Sequence, residues 1–212
     1  MKINLYVPGM AFNGDTIKEG KSLGGSETAG YYVAKELAKR GNIVTVFSNP
    51  TKDVRGPEYY DDVRYMPIGN GSESNPFGDI FHSAGQVAPS DVLIAQRAPH
   101  IFSGNSNSKL NLWWTHDLAI KKNQIGLDSQ LWNIDKVLSV SEWHKKQVSE
   151  VYGVNPDFIS VLPNGVDLSF YPEKLDLEQK WMSKTMIYSS RPERGLENLV
   201  RPGGIMHKLL EI

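Results

Sequence analysis

The sequence predicts an α/β fold: a parallel sheet with helices on both faces, followed by the incomplete start of a second domain. Three observations carry this reading. Nearly continuous apolar strands alternate with helical stretches, the pattern of a sheet buried on both sides. The chain opens with strand, glycine loop, helix and strand, each with its own start and stop signals. Regularity ends after Leu162, and the strand and helical stretch beyond it cannot close a core of their own.

The first strand, Ile3-Asn4-Leu5-Tyr6-Val7, is β-rich and ends where Pro8-Gly9 starts a turn. A polar, glycine-rich loop runs to Gly25. A helix then opens at Ser26-Glu27-Thr28, where Ser26 can cap free N–H groups and Glu27 sets a negative charge at the positive end of the dipole. Ala29, Val33 and Leu37 recur at four-residue spacing and are expected to face the sheet; Lys39 and Arg40 occupy the last turn, and Gly41 supplies a left-handed stop. Ile43-Val44-Thr45-Val46-Phe47 reads as a buried strand. Residues 49–90 are rich in turn formers, with one strand at 63–68. Further strands are expected at 92–96, 110–114, 136–140 and 158–162, with a helix from Glu142 to Tyr152 closed by Gly153. On that helix Trp143, Val148, Val151 and Tyr152 are expected to form the apolar stripe. Pro163-Asn164-Gly165-Val166-Asp167 is turn chemistry, residues 168–183 are charged without clean periodicity, and 185–190 reads as a new strand.

The 212 residues suit one large domain or a domain plus part of another, since domains run to about 100–200 residues. With 23 Lys and Arg against 24 Asp and Glu, a net charge of −1 gives no general electrostatic case for nucleic acid or an acidic membrane. The absence of cysteine excludes a disulfide framework, a thiolate metal site and a cysteine nucleophile. No apolar run suggests a signal peptide or a membrane span. These features point to a cytoplasmic globular protein, with peripheral membrane contact left open although no basic amphipathic helix argues for it.

Ligand sites of parallel α/β sheets lie outside the carboxyl ends of the strands, and four features fall there. Gly24-Gly25 runs into a helix N-terminus, where glycines admit an anion close to backbone N–H groups; a plain flexible turn is the alternative. It is neither the dinucleotide fingerprint nor a Walker-type loop. Thr115-His116-Asp117 follows a strand, and His116 there can donate to a substrate hydroxyl or stabilise developing charge, or be a capped surface histidine. Asp117 can orient His116 or cap the next turn. Arg97 can meet an anionic group or be a surface arginine. Arg191 and Arg194, at a strand-to-helix junction, suit a diphosphate because guanidinium groups grip phosphate oxygens in a fork; a solvated charge run is the alternative. His82, His100, His144 and His207 show no metal-ligand spacing, and His144 is expected to be solvated on an exposed helix face.

Taken in order, Gly24-Gly25-Ser26-Glu27-Thr28, Thr115-His116-Asp117, Val140-Ser141-Glu142-Trp143, Pro163-Asn164-Gly165-Val166-Asp167 and Ser190-Arg191 through Arg194-Gly195 resemble the GT-B glycosyltransferases, specifically the retaining family 4 that uses nucleotide-sugar donors. The resemblance implies a Rossmann-like, mainly acceptor-side domain over 1–165, an interdomain linker over 166–183, and the first strand and helical segment of a truncated donor-binding domain over 184–212. It implies that His116 lies at the donor sugar as the catalytic residue, and that Gly24, Gly25, Arg191 and Arg194 approach the donor diphosphate. Glu27, Arg97, Asp117 and Asn164 join them as substrate-binding candidates. Arg194 stands where the family usually has lysine, at a shorter spacing from Arg191.

The implied reaction moves a sugar from a nucleotide diphosphate to an acceptor hydroxyl with retained anomeric configuration. No metal or other cofactor is expected, the nucleotide sugar being a co-substrate, and positive groups stabilise the leaving diphosphate. The acceptor, whether glycan, lipid or small molecule, is not specified. Since the resemblance stops partway through the family pattern, the expectation is a truncated or split enzyme, inactive as an isolated chain, with a second chain or the missing domain packing on 184–212. A non-catalytic acceptor- or glycan-binding module is the alternative. A nucleotide-sugar epimerase or dehydrogenase is disfavoured by the missing G-x-G-x-x-G and Tyr-x-x-x-Lys patterns.

Overall fold

The computed structural model describes residues 1–51, 57–68, 88–123, 127–170, 176–183, 185, 187, 188, 190 and 192–210. The chain divides into two compact units, Met1–Gly165 and Val166–Ile212. The first unit is built on eight strands: β1 (Lys2–Val7), β2 (Ile43–Ser48), β3 (Glu58–Tyr60), β4 (Val63–Pro67), β5 (Ser90–Gln96), β6 (Ser108–Trp114), β7 (Lys136–Ser139) and β8 (Ile159–Val161). They form one sheet in the order β3-β4-β2-β1-β5-β6-β7-β8, giving the α/β architecture expected from the strand–helix alternation. Every neighbouring pair is parallel except β3 and β4. The winding direction reverses between β1 and β5, and a crevice opens at the carboxyl ends of strands at such a reversal.

The antiparallel β3 is an addition to the parallel sheet read from sequence. Its turn to β4 is made by Asp61 and Asp62, both in the left-handed region at φ 49 and 61. That is the conformation a two-residue hairpin requires, and aspartate tolerates it better than most residues. Lys18 and Lys35 each reach the Asp61 carboxylate at 3.1 Å and hold the turn from outside.

Strand alternation sends successive side chains to opposite faces of the sheet. On one face Leu5, Val7, Val44, Val46 and Trp114 pack with Tyr31, Ala34 and Ala38 of α1 (Gly25–Lys39). On the other, Leu93, Ala95, Trp113 and Val137 pack with Val148 and Tyr152 of α3 (Glu142–Tyr152), joined by Leu127 of α2 (Leu127–Leu131). The buried line of α1 therefore runs through Glu27, Gly30, Tyr31, Ala34 and Ala38, while Ala29, Val33 and Leu37 flank it half-buried. The four-residue spacing located the correct side of the helix but placed its centre one position early.

Helix ends follow their local chemistry with one exception. Ser141 caps α3 by accepting the His144 N–H at 3.1 Å, and Gly153 ends that helix in the left-handed conformation at φ 71. Gly41 takes φ 80 just beyond α1. At the start of α1, however, Gly24 is the cap and offers no side chain, so Ser26 does not fill that role. On α3, Trp143 is 64% exposed and His144 only 3% exposed, which reverses the two expectations for that turn. The helix was placed correctly, but its buried face is set by His144, Val148 and Tyr152.

The second unit contains α4 (Leu177–Ser183), α5 (Leu196–Val200) and α6 (Ile205–Leu210), with single turns at Leu168–Phe170 and Pro192–Arg194. A helix thus stands within the stretch read as lacking periodicity. Thr185, Ile187, Tyr188 and Ser190 lie in no strand, since a strand needs a paired neighbour and the described residues of this unit supply none. Gly204 is the single buried residue among those described in this unit. Among the described residues, no helix is long and apolar enough to cross a membrane.

Leu5 lies on the central strand, opposite Val46 on one side and Ile94 on the other, and is 1% exposed. Leu5→Ala is expected to destabilise the first unit by about 2–5 kcal/mol, from lost burial plus the cavity left behind. Urea unfolding followed by far-UV circular dichroism measures this.

Candidate active site

The reversal between β1 and β5 brings together the loop after β1, the N-terminus of α1 and the ends of β5 and β6. Glu27, in the first turn of α1, is 3% exposed. Its Oε1 accepts the Met10 N–H at 3.1 Å and its Oε2 accepts the Ser26 hydroxyl at 3.0 Å. A Cβ at either Gly9 or Gly24 would collide with this carboxylate. Gly9 also takes φ 130, a backbone conformation that side-chain-bearing residues rarely adopt. The two glycines make a slot for one buried charge. Gly25, by contrast, has open space where a Cβ would lie.

Arg97 stands just beyond β5 with φ 61, in the left-handed region, its N–H bonded to the Trp114 carbonyl at 2.9 Å. Its Nε donates to Asp117 Oδ2 at 2.7 Å and its Nη1 to Ser26 Oγ at 3.4 Å, while Nη1 lies 3.9 Å from Glu27 Oε1. The hydrogen bond to Asp117 is the main cause holding the guanidinium above its ordinary pKa. Strain in a non-glycine left-handed residue is of order 1–3 kcal/mol and persists only where surroundings fix it, as this pair of carboxylates does.

His116 follows β6, its ring tilted against Trp114 with centroids 4.6 Å apart. Burial, with the neighbouring Arg97 charge adding to it, pushes its pKa from the ordinary 6.5 down to about 4, so the imidazole is neutral near pH 7. Gln96, 1% exposed, fixes the tautomer. Its Nε2 donates to the Ser26 carbonyl at 2.8 Å and lies 3.0 Å from His116 Nε2. A carbonyl must receive a donor, so the Gln96 amide group faces both atoms, and His116 Nε2 is the acceptor. The proton is then on Nδ1, which hydrogen-bonds no described residue. The result is a neutral histidine with one N–H available to a ligand oxygen.

His144 completes the frame. Its Nε2 lies 2.9 Å from the Asp117 carbonyl, and its Nδ1 receives the Val140 N–H at 3.4 Å. Nε2 is therefore the donor, and it pins the backbone of the His116–Asp117 turn to α3. At the start of α1 the first intrahelical bond is made by Thr28 to the Gly24 carbonyl at 2.9 Å. Among the described residues, none accepts from the N–H groups of Gly25, Ser26 or Glu27, which remain for a ligand at the positive end of the dipole. On the other side of the Arg97–Asp117 pair lies a cleft of about 300 Å³ lined by Trp113, Thr115, Leu127 and Tyr152 among others.

Comparison with known proteins bears on this arrangement. A model of Glycosyltransferase Family 4 matches residues 23–170. The chain belongs to glycosyltransferase family 4. Sucrose-phosphate synthase from Thermosynechococcus elongatus superposes with a TM-score of 0.56 at 15% identity, covering 85% of this chain and 52% of that one. HepE from Anabaena, solved in complex with UDP, gives 0.52 at 15% identity, over 87% and 50% of the two chains. A glycosyltransferase from Rickettsia africae ESF-5 gives 0.51 at 18% identity, over 88% and 50%. The fold is that of half of a GT-B glycosyltransferase, and the chain spans about half the length of these structures. No curated protein matches in sequence.

Of the residues singled out from sequence, Gly24, Gly25, Glu27, Arg97, His116 and Asp117 share this one cluster. Glu27 is there as a buried latch on the β1–α1 loop, its carboxylate held by the Met10 N–H and the Ser26 hydroxyl. Asn164 is exposed beyond β8 and no hydrogen bond ties it to the cluster. Arg194 is exposed on a single turn of the second unit. Arg191 lies outside the described residues. Sequence reasoning missed Gly9, Gln96 and His144. A glutamine ending a buried strand was the one available signal for Gln96; nothing local marked the other two.

Two outcomes follow from the geometry. Gly24→Ala drives a Cβ into the Glu27 carboxylate and is expected to cost about 1–3 kcal/mol, whereas Gly25→Ala stays near neutral. Adding Glu27→Ala to Gly24→Ala is expected to remove the non-additive part of that loss, as a double-mutant cycle by urea unfolding reports. His116 binds its proton more readily in the unfolded chain between about pH 4 and 6.5, so stability rises with pH across that window and levels off below it. Replacing it by glutamine flattens this dependence, seen as a smaller fall in urea midpoint from about pH 7 to 4.

Proposed function

We propose that this family 4 chain forms the acceptor side and part of the donor side of a site that transfers a glycosyl group from a nucleotide sugar to an acceptor hydroxyl, with retention of anomeric configuration. The observation that carries the proposal is His116: neutral, its tautomer set by Gln96, and its Nδ1–H unclaimed at a strand end beside the N-terminus of α1. A neutral imidazole N–H donates to a sugar hydroxyl or to a ring or glycosidic oxygen without depending on pH near neutrality. It does not act as the proton acceptor, because its Nε2 lone pair is already engaged.

The open N–H groups of Gly25, Ser26 and Glu27 suit the diphosphate of the donor, and Gly25 leaves room for its approach. Arg194 and Arg191 of the second unit are proposed to neutralise the leaving diphosphate. HepE is solved with UDP and with UDP-glucose, which makes a uridine diphosphate sugar the first donor to test. The reaction is proposed for the site that this chain forms together with the remaining half carried by its structural relatives, so the 212 residues alone are expected to be inactive.

Amide and His116 ring resonances followed during titration with UDP-glucose test this reading. Shifts at Gly25, Ser26 and the His116 ring support a donor site; none at these positions counts against it. Response to free glycans alone favours a non-catalytic glycan-binding module. Wherever the chain takes part in turnover, His116→Ala is expected to lower kcat roughly 10²- to 10³-fold, measured by UDP release. Turnover by the 212 residues alone, lost in that variant, overturns the expected inactivity.

A further inference from the structure

We propose that Gln147 is a positioning residue for the transfer site: with His144 and Tyr152 it holds residues 117–120 as a strap along α3, and the strap sets Asp117 against Arg97 and steadies the turn that carries His116. The inference rests on the glycosyltransferase reading and adds a support for its site. It starts where β6 ends. Beyond Trp114 the chain leaves the sheet, and residues 117–120 lie in no helix or strand.

The backbone groups of such a segment still need partners. Here α3 supplies them from side chains on one side of the helix. His144 Nε2 donates to the Asp117 carbonyl at 2.9 Å. Gln147 meets both polar groups of Ala119, its Oε1 accepting the N–H at 3.0 Å and its Nε2 donating to the carbonyl at 3.0 Å. The Tyr152 hydroxyl accepts the Ile120 N–H at 3.3 Å. Ala119 is buried under this pairing, while Leu118 and Ile120 on either side of it are exposed. The segment is held as a strand would be, with three side chains in the place of a neighbouring backbone. Of the three, Gln147 alone engages a donor and an acceptor of the same residue, so it fixes the segment in two directions at once.

Magnitudes locate what controls Asp117. Its carboxylate accepts the Arg97 Nε–H at 2.7 Å, but the two side chains are 60% and 36% exposed. An ion pair so open to water contributes little and does not fix its own geometry. Asp117 therefore owes its place to its backbone. The chain enters from Thr115, whose N–H is bonded to the Leu138 carbonyl at 2.9 Å, and leaves through the strap. His116 lies between these two anchors. Releasing the strap frees Asp117 from Arg97, whose φ of 61 is costly without fixed surroundings, and slackens the turn that carries the imidazole.

The test uses the full chain, first without ligand. In the wild type the Arg97 Nε–H, bonded to Asp117, is expected to give a proton resonance protected from exchange, identified by its absence in Arg97→Lys. Gln147→Met keeps the side-chain length and removes both hydrogen bonds. It is expected to broaden or abolish the Arg97 signal and to shift the His116 and Asp117 amides. Tyr152→Phe removes a single acceptor, leaves the ring in the core, and is expected to move the same signals less. Val44→Ala is the control: Val44 is buried near the start of β2, at the end of the sheet away from the site, so its loss lowers the urea midpoint and is expected to leave the Arg97 signal intact. A strap seated for roughly a tenth to a third of the time in Gln147→Met weakens UDP-glucose binding about 3- to 10-fold, because apparent affinity falls with the competent fraction.

An Arg97 signal unchanged in both Gln147→Met and Tyr152→Phe overturns the inference, as does an equal loss in Val44→Ala, which makes it a general effect of instability. If the signal is lost in Gln147→Met but UDP-glucose moves neither Gly25 nor His116 in the wild type, the strap is supported and the donor-site reading fails. If UDP-glucose moves both and binds Gln147→Met equally well, the strap falls as a positioning device and the transferase reading stands.

Discussion

One buried carboxylate organises the candidate site. Glu27 is withdrawn from water at the start of α1, and a buried charge is tolerated only when its surroundings satisfy it. Satisfying it requires the Met10 N–H, the Ser26 hydroxyl, and two positions without a Cβ at Gly9 and Gly24. The same charge lies 3.9 Å from Arg97, Arg97 holds Asp117, and the Asp117 carbonyl accepts from His144 on α3. Residues from β1, α1, β5, β6 and α3 are thus fixed relative to one another through polar contacts that begin at one side chain. The glycine pair read as an approach for phosphate therefore differs within itself: Gly24 makes room for the Glu27 carboxylate, and Gly25 has open space where a Cβ would lie.

The electrostatics of the cluster limit what the first unit contributes to chemistry. Arg97 is a single cation set between two carboxylates, Glu27 and Asp117, so the described cluster carries no surplus positive charge. His116 adds none, since burial and Arg97 keep it neutral. What remains for an anion is dipolar: the open N–H groups at the start of α1 and one imidazole N–H. Such donors orient and polarise, but a departing diphosphate needs cations as well. The proposed assignment of Arg191 and Arg194 to that task follows from this charge count as much as from the resemblance.

Most of the fold was legible because its signals are local. Apolar runs marked β1, β2 and β5 to β7, and Gly153 closes α3 as read. The β3–β4 hairpin was not legible: its turn is Asp61-Asp62 in place of the usual asparagine–glycine, and it is held by Lys18, 43 positions away from Asp61. The site divides the same way. Gly24, His116, Arg97 and Asp117 could be found because they sit at strand ends or a helix start. Gln96 acts through Ser26 and His116, 70 and 20 positions away, and His144 through Asp117, 27 away. Sequence spacing carries no trace of such contacts. His144 and Trp143 were exchanged for a related reason: hydropathy sends tryptophan inward, but a backbone carbonyl needing a donor outweighed it.

Strand β6 sorts the side chains of the site by its pleat. Trp113 and Thr115 belong to the lining of the cleft beside Arg97 and Asp117, while Trp114 and His116 belong to the α1 side of the sheet. Alternation along one strand therefore sets the cleft lining and the His116 ring on opposite sides, with Arg97 and Asp117 beside the cleft. The assignment depends on register: Trp113 pairs with Ala95 and Val137, and Trp114 with Gln96 and Leu138. A slip of one residue would turn His116 toward the cleft and Trp113 toward α1, exchanging every contact at once. The buried apolar side chains of both faces resist that slip, Leu93, Ala95 and Val137 on one and Leu5, Val46 and Ile94 on the other. The packing of the sheet is thus what holds Trp113 on the α3 side and the His116 ring, against Trp114, on the α1 side.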